Sequence, residues 1–419
     1  RQMCIRDRLY FFCLAVLQGL EIASAGKTRQ LLAITAAAIW LLHPLNVSTV
    51  LYAVQRMAQL ATLFSLLGLL VFMRYRLRWA ERGAGHGELL AAGLWLLLLT
   101  LLATLSKENG ALLPWLVVVL EVSIFRGVWA GRQSSRLRWA GWIALVGPVM
   151  LVLAILVFAP DRLVGGYAWR EFTLEERVLT QARLLWRYLG WILFPNINDM
   201  GFQHDDIPLS SDLFTPFSTL IAVIAWPLAL LLALRLRERF PLLLLAVLFF
   251  LVGHSMESTV IPLEMVYEHR NYLPMIPVCL MLAAVLVLPA SRSSRVSVWY
   301  PVLGALAILS LLLLVRVHSW SGELILSKTN LAQHPESSRS NYFYANALLR
   351  RYRRAEQLGL DEQEKKESLL LSRHYFERMY QANNRDISAL VMLFYLDSQF
   401  FEGLQQQVDW LAELEKLLL

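Results

Sequence analysis

The chain has 419 residues, 57% of them hydrophobic and only 17% charged, with a mean hydropathy of +0.50 and a formal net charge of +7. That balance excludes an ordinary soluble domain and describes a protein that crosses a membrane several times. Its Lys and Arg residues fall in short clusters between apolar runs and not on one face, so they report topology and exclude nucleic acid as the partner.

In chain order, residues 1–8 read as a terminus foreign to the rest, and apolar runs then predict helical spans near 9–25, 29–44, 58–75, 88–106, 110–125, 139–159, 213–235, 240–256, 273–290 and 299–317. Each is long enough to cross a hydrocarbon core at about 1.5 Å rise per residue. The connections around Lys27, 74–82, 126–138, 235–239 and 291–295 are densely basic, which assigns them to the cytoplasm. The alternate connections then face outward: His43 to Arg56, Ser106 to Gly110, the long loop 160–212, His254 to Pro274, and the exit at Trp320.

Within the long loop, residues 174–194 form a basic, aromatic amphipathic pattern whose Arg177, Arg183 and Arg187 are expected at the membrane interface, meeting lipid headgroups. The same pattern is compatible with a re-entrant or spanning helix. From residue 320 the composition turns soluble and helical. Helices are predicted from Pro335 to Arg354 and near 368–382, 386–401 and 403–418, with a polar break at 359–368. Both termini read as truncated. The three cysteines, Cys4, Cys13 and Cys279, have no metal-ligand or disulfide spacing.

Four polar motifs interrupt this apolar chain. An intramembrane charge costs roughly 2.5–3.5 kcal/mol on insertion scales, so such residues sit at wet ends or in functional cavities. His43-Pro44-Leu45-Asn46 breaks a helix at proline and is expected to direct His43, Asn46 and Arg56 into one cavity. In Ser106-Lys107-Glu108-Asn109-Gly110, Lys107 is a candidate point charge for a phosphate, with Glu108 as its counter-ion. Glu268-His269-Arg270-Asn271-Tyr272-Leu273-Pro274 carries a guanidinium fork suited to phosphate, with Glu257 and Glu264 upstream. Asp205 and Asp206, beside His204, are the candidate ligands should a divalent cation be used.

Taken together, His43-Pro44 with Arg56, the motif at 106–110, the motif at 268–274 and the helical tail resemble the GT-C superfamily of membrane glycosyltransferases. The resemblance is to bacterial relatives of the transmembrane and tetratricopeptide repeat (TPR) proteins, and it covers residues 20–335. It implies an all-α polytopic bundle of about ten spans (residues 9–319), followed by a TPR-like soluble domain (320–419). It also implies transfer of a sugar from a polyprenyl-phosphate donor to a protein hydroxyl outside the bacterial inner membrane, with the tail periplasmic and binding an envelope acceptor protein.

On that reading Arg56, Lys107 and Arg270 hold the donor phosphate, and His43, Asn46, Glu108, Asn109, Glu268 and His269 orient the cations or the sugar. The family's catalytic acidic pair, expected in a first outer loop, has no counterpart in these residues. A non-catalytic membrane scaffold and a lipid or solute transporter are the rival readings.

Overall fold

The computed structural model describes residues 2–23, 26–128, 146–147, 150, 154–155, 157–159, 161, 165–292, 297–384, 386–401 and 409–416. Most of the span expected at 139–159 lies outside these residues. Among the described residues every regular element is helical and none is a strand. Two compact units emerge, one of residues 1–197 and 209–314, the other of residues 198–208 and 315–419. The chain therefore passes between the units at three places, and a stretch of the long loop belongs to the second unit.

In the first unit the helices are α1 (Gln2–Gly19), α2 (Gly26–Leu42), α3 (Val47–Leu51), α4 (Arg56–Arg82), α5 (His86–Ser106), α6 (Leu113–Phe125), α7 (Leu174–Leu193), α8 (Ser218–Arg235), α9 (Pro241–His254), α10 (Ile276–Arg292) and α11 (Trp299–Ser319), the last running into the second unit. Among the described residues five helical segments suffice by length and composition to cross a membrane: Ala53–Arg82, His86–Ser106, Glu108–Phe125, Ser218–Arg235 and Trp299–Ser319. The bent pair Gly26–Leu42 and Pro44–Leu51, with a 53° break, makes a sixth if counted as one span. Pro44 starts a short 3-10 turn because its ring cannot continue the ladder of α2, and His43 caps that turn by accepting from Leu45 N.

The expected and observed helices agree closely from α2 onward. The first differs: α1 begins at Gln2, inside the stretch read as foreign, and buries Ile5 and Leu9. It ends at Gly19, with Glu21 and Ala23 just beyond it in the left-handed region. Helix α4 also continues past the apolar run to Arg82, so the basic cluster at 74–82 occupies its last turns and is no loop.

Helix α4 packs against α1, α5 and α6, α2 against α10, and α9 against α6 and α10, while α7 packs against α8. Phe12, Trp40, Leu69, Leu116, Phe249 and Val287 are buried among them. By contrast α5, α8 and α11 keep most of their apolar surface exposed, as helices facing lipid do.

In the second unit α12 (Glu323–Gln333) packs on α13 (Ser338–Arg353), α13 on α15 (Glu362–Ala382), α15 on α16 (Ile387–Phe400), and α16 on α17 (Trp410–Glu415), with the single turn α14 (Ala355–Leu358) between α13 and α15. Phe376, Leu390, Leu393, Leu396 and Trp410 form its centre. The polar break expected at 359–368 is shorter than its composition suggests. Asp361 and Glu364 make a reciprocal capping box that starts α15 at Glu362, and Ser368 is buried in the helix.

Candidate functional site

Three helix connections meet in the first unit: the α2–α4 break, the α5–α6 turn, and the segment from His254 to Ile276 between α9 and α10. The break and the Glu268–Asn271 turn pack on each other. Trp40 packs on Tyr272 with ring centroids 4.8 Å apart and planes tilted by 54°, and donates to the Tyr272 carbonyl at 2.9 Å. The second and third connections are joined by an ion pair, Lys107 Nζ to Glu257 Oε1 at 2.5 Å, with both side chains buried.

Lys107 reaches Glu257 because the chain reverses sharply after α5. Lys107 is extended, and a Cβ at Gly110 would stand 2.2 Å from the Ala103 carbonyl carbon, so only glycine allows this turn to fold back on α5. Glu108, expected as the counter-ion, is exposed, and Asn109 is half-buried. The correction is geometric, since adjacent residues at a helix start point apart. Burial raises the Glu257 pKa, but the charge of Lys107 and then that of Arg270, with the Lys107 hydrogen bond, outweigh it and hold the carboxyl below its ordinary value.

Arg270 is buried and spends its fork on main-chain carbonyls, Nη1 on Met265 at 2.8 Å and Nη2 on Glu264 at 2.6 Å, with its guanidinium 5.4 Å from the centre of the Tyr267 ring. His269 stacks on Tyr267 at 5.0 Å. Burial, then the nearby Lys107, pushes its pKa down to about 3, so the ring is neutral at neutral pH. Glu268 is buried in the same turn.

The sequence placed Arg177 at a lipid interface; the structure buries it completely. From α7 its Nη2 donates to the Glu257 carbonyl at 2.8 Å and its Nε to the Thr259 carbonyl at 2.9 Å, and its Nη1 donates to the Leu263 carbonyl. One turn on, Gln181 donates to the Met265 carbonyl at 2.8 Å, and Tyr188 Oη accepts from Tyr267 N at 3.1 Å. The signal was present in the sequence: Arg177, Gln181, Leu184 and Tyr188 recur at helical spacing and are the buried stripe of α7. Arg183 and Arg187 lie off that stripe and are half-buried, Arg183 donating to Ser210 Oγ at 2.9 Å and Arg187 lying over Trp191 at 5.4 Å.

His43, Asn46 and Arg56 do not share a cavity. His43 Nδ1 accepts from Leu45 N while Nε2 lies 3.1 Å from the Ile192 carbonyl, which fixes a neutral ring with its proton on Nε2. Asn46 donates to the Trp40 carbonyl at 2.7 Å. Both hold main chain in place, and Arg56 is exposed at the start of α4.

Asp205 and Asp206 lie in the second unit. Asp205 accepts from the Ser337 hydroxyl and, at 3.1 Å, from Arg339 N at the start of α13; Asp206 Oδ2 is 2.9 Å from His334 Nδ1. Beside them Phe202 packs between Trp320 and Phe343, both at 5.6 Å, and Arg316 donates to the Met200 carbonyl at 2.6 Å. The two carboxylates thus fasten residues 198–208 as a strap onto α12 and α13. Among the described residues no group of three or more His, Cys, Asp or Glu side chains gathers as metal ligands do.

In the three-connection cluster, three buried cations (Lys107, Arg177 and Arg270) stand against two buried carboxylates, Glu257 and Glu268. Carbonyl dipoles solvate the two arginines without neutralising them, so the cluster keeps positive character suited to an anion. No protein-family model, curated protein or solved structure matches the chain.

Proposed function

We propose that this chain is a membrane glycosyltransferase of GT-C type, taking a sugar from a polyprenyl-phosphate donor and passing it to an acceptor hydroxyl outside the bacterial inner membrane. The observation that carries the reading is the excess of buried positive charge where three helix connections converge, in a chain built of helices apolar enough to cross a membrane. An isolated buried cation is costly, and a lipid phosphate delivered at the end of the spans would complete this one.

In the reaction, the acceptor hydroxyl oxygen attacks the anomeric carbon and the bond from that carbon to the phosphate oxygen breaks. The electron pair goes to the phosphate, and the hydroxyl proton goes to a carboxylate base. Lys107 and Arg270 offset the charge that develops on the phosphate. Glu257 holds Lys107 in place until the donor enters, and neutral His269 with Glu268 lines the sugar side. Exposed Arg56 meets the phosphate on its approach. The general base is assigned to none of these residues, because Glu257 is committed to Lys107. The C-terminal helices, read as TPR-like and periplasmic, select the acceptor protein.

The test is binding of undecaprenyl phosphate, in phosphatidylcholine nanodiscs, to the full chain and to Lys107→Met. The variant should bind at least about tenfold more weakly, a loss of about 1.4 kcal/mol. Equal binding, or none by the parent chain, would remove the phosphate role and favour a scaffold.

A further inference from the structure

We infer that Arg177 is the positioning residue of this site: it fixes the main chain of the 257–263 segment so that the Glu257 carboxylate meets Lys107. The inference rests on the phosphate-binding reading above. Its starting point is that Arg177 contacts no carboxylate in the cluster; its hydrogen bonds within the segment go to the main-chain carbonyls of Glu257, Thr259 and Leu263. A residue meant to neutralise charge would seek an acid. Satisfying three carbonyls of one irregular segment, all facing one planar fork, instead sets where that segment lies.

The consequence for Glu257 is direct, because the carbonyl that Arg177 holds belongs to the residue whose side chain pairs with Lys107. The next anchor, Gln181 on the Met265 carbonyl, sits one helical turn along α7 and shares that carbonyl with Arg270. One face of α7 thus holds both the Glu257 end and the Arg270 end of the segment. Helix α7 is itself well fixed, with Trp186 stacked on Trp226 at 4.3 Å and Thr180 Oγ1 accepting from Ser210 N at 2.8 Å. A rigid helix carrying a fork into an irregular segment is how a distant side chain is placed for chemistry.

The conservative substitution separates positioning from charge. Arg177→Lys keeps the cation but has a single ammonium group where three carbonyls were met by a planar fork. If Arg177 acts by its charge on the phosphate, Arg177→Lys should bind undecaprenyl phosphate as the parent does. If it positions Glu257, the lysine variant should lose roughly tenfold in affinity, close to the loss in Arg177→Gln.

A second readout distinguishes loss of position from general loosening. Glu257 holds the Lys107 ammonium in place and its protonation releases it, so parent affinity for the lipid phosphate should fall as pH drops through the carboxyl's depressed pKa. Lys107, Arg270, His269, His254 and Tyr188 are titratable groups coupled to this carboxyl, and none of the others makes the Lys107 contact. In Arg177→Lys, the carboxylate held less firmly against Lys107 should titrate at higher pH, moving that fall upward. In Glu257→Gln, which keeps the backbone carbonyl for Arg177, that fall should vanish.

The probe in each case is undecaprenyl phosphate in phosphatidylcholine nanodiscs, with the bound fraction corrected for monodisperse protein. A lysine variant with parent affinity and an unmoved pH midpoint would overturn the inference while leaving the phosphate site standing. Parent protein that binds no lipid phosphate would overturn both.

Discussion

The molecule buries arginine in two opposite ways. Where α4 and α6 end, Arg76 makes a two-point ion pair with Glu121, Nε to Oε2 at 2.7 Å and Nη2 to Oε1 at 3.1 Å; it donates to the Val128 carbonyl and covers the Phe125 ring at 4.1 Å. Where the three connections meet, Arg177 and Arg270 are as deeply buried but are solvated by carbonyls. The first arrangement is electrically closed and gives a ligand nothing to bind. In the second the backbone stabilises positive charge without cancelling it, so the region can answer an incoming anion. Burial of charge alone does not mark a site; the nature of the partner does.

The largest expected effect tests the closed end. Arg76→Met strands Glu121 among apolar side chains and should cost about 3–5 kcal/mol, measured by reversible unfolding in mixed micelles, while Arg76→Met with Glu121→Leu should recover most of it. A double variant no better than the single one would mean that Arg76 serves Val128 and Phe125 more than Glu121.

Next comes Lys107→Met at the open end, expected to lose about 1.5–3 kcal/mol at neutral pH in the same assay. The sign of its pH dependence follows from Glu257. Because the folded carboxyl lies below its ordinary value, its stabilising contribution is complete above that value and disappears as pH falls through the depressed pKa. The gap between parent and variant should therefore narrow in acid.

A smaller effect concerns the strap. Burial raises the Asp206 pKa, but its hydrogen bond to His334 and the charge there prevail and lower it. The strap should stay protected from hydrogen exchange, after correction for intrinsic rates, down through the ordinary carboxylate range, and loosen only as pH falls below it. Asp206→Asn should raise exchange at residues 198–208 already at neutral pH.

Smallest of all, Arg56→Ala should leave stability unchanged and weaken lipid phosphate binding only at low ionic strength, since an exposed charge acts at a distance that salt screens.

How much of this was legible in the sequence depended on the kind of signal. Apolar runs bounded by charge gave α2, α5, α8, α9, α10 and α11 close to their observed limits, because helix length in these runs follows local composition, while α4 ran on into its basic cluster. The convergence of the motifs around Lys107 and Arg270 was also readable, through the alternation of basic and non-basic connections. The partners were not. Glu257 lies 150 residues from Lys107, and nothing local chooses it over the adjacent Glu108. Arg177 was misjudged because an amphipathic basic helix has the same composition whether its cations face lipid headgroups or backbone carbonyls. For Asp205 and Asp206 the sequence left both a cation-binding and a capping role open, since acidic doublets look alike whether they bind a cation or cap a distant helix.

The strap also bears on how the molecule is made. Asp206 must wait for His334, 128 residues later in the chain, before its half of the fastening exists. At about 5–20 residues per second that is roughly 6–26 seconds of synthesis during which the Asp206 fastening cannot form. During that interval α8 to α11 emerge and the spans among them must enter the bilayer. The C-terminal helices therefore complete a fold begun far upstream, and a ribosome that stops short of them leaves a sticky loop behind.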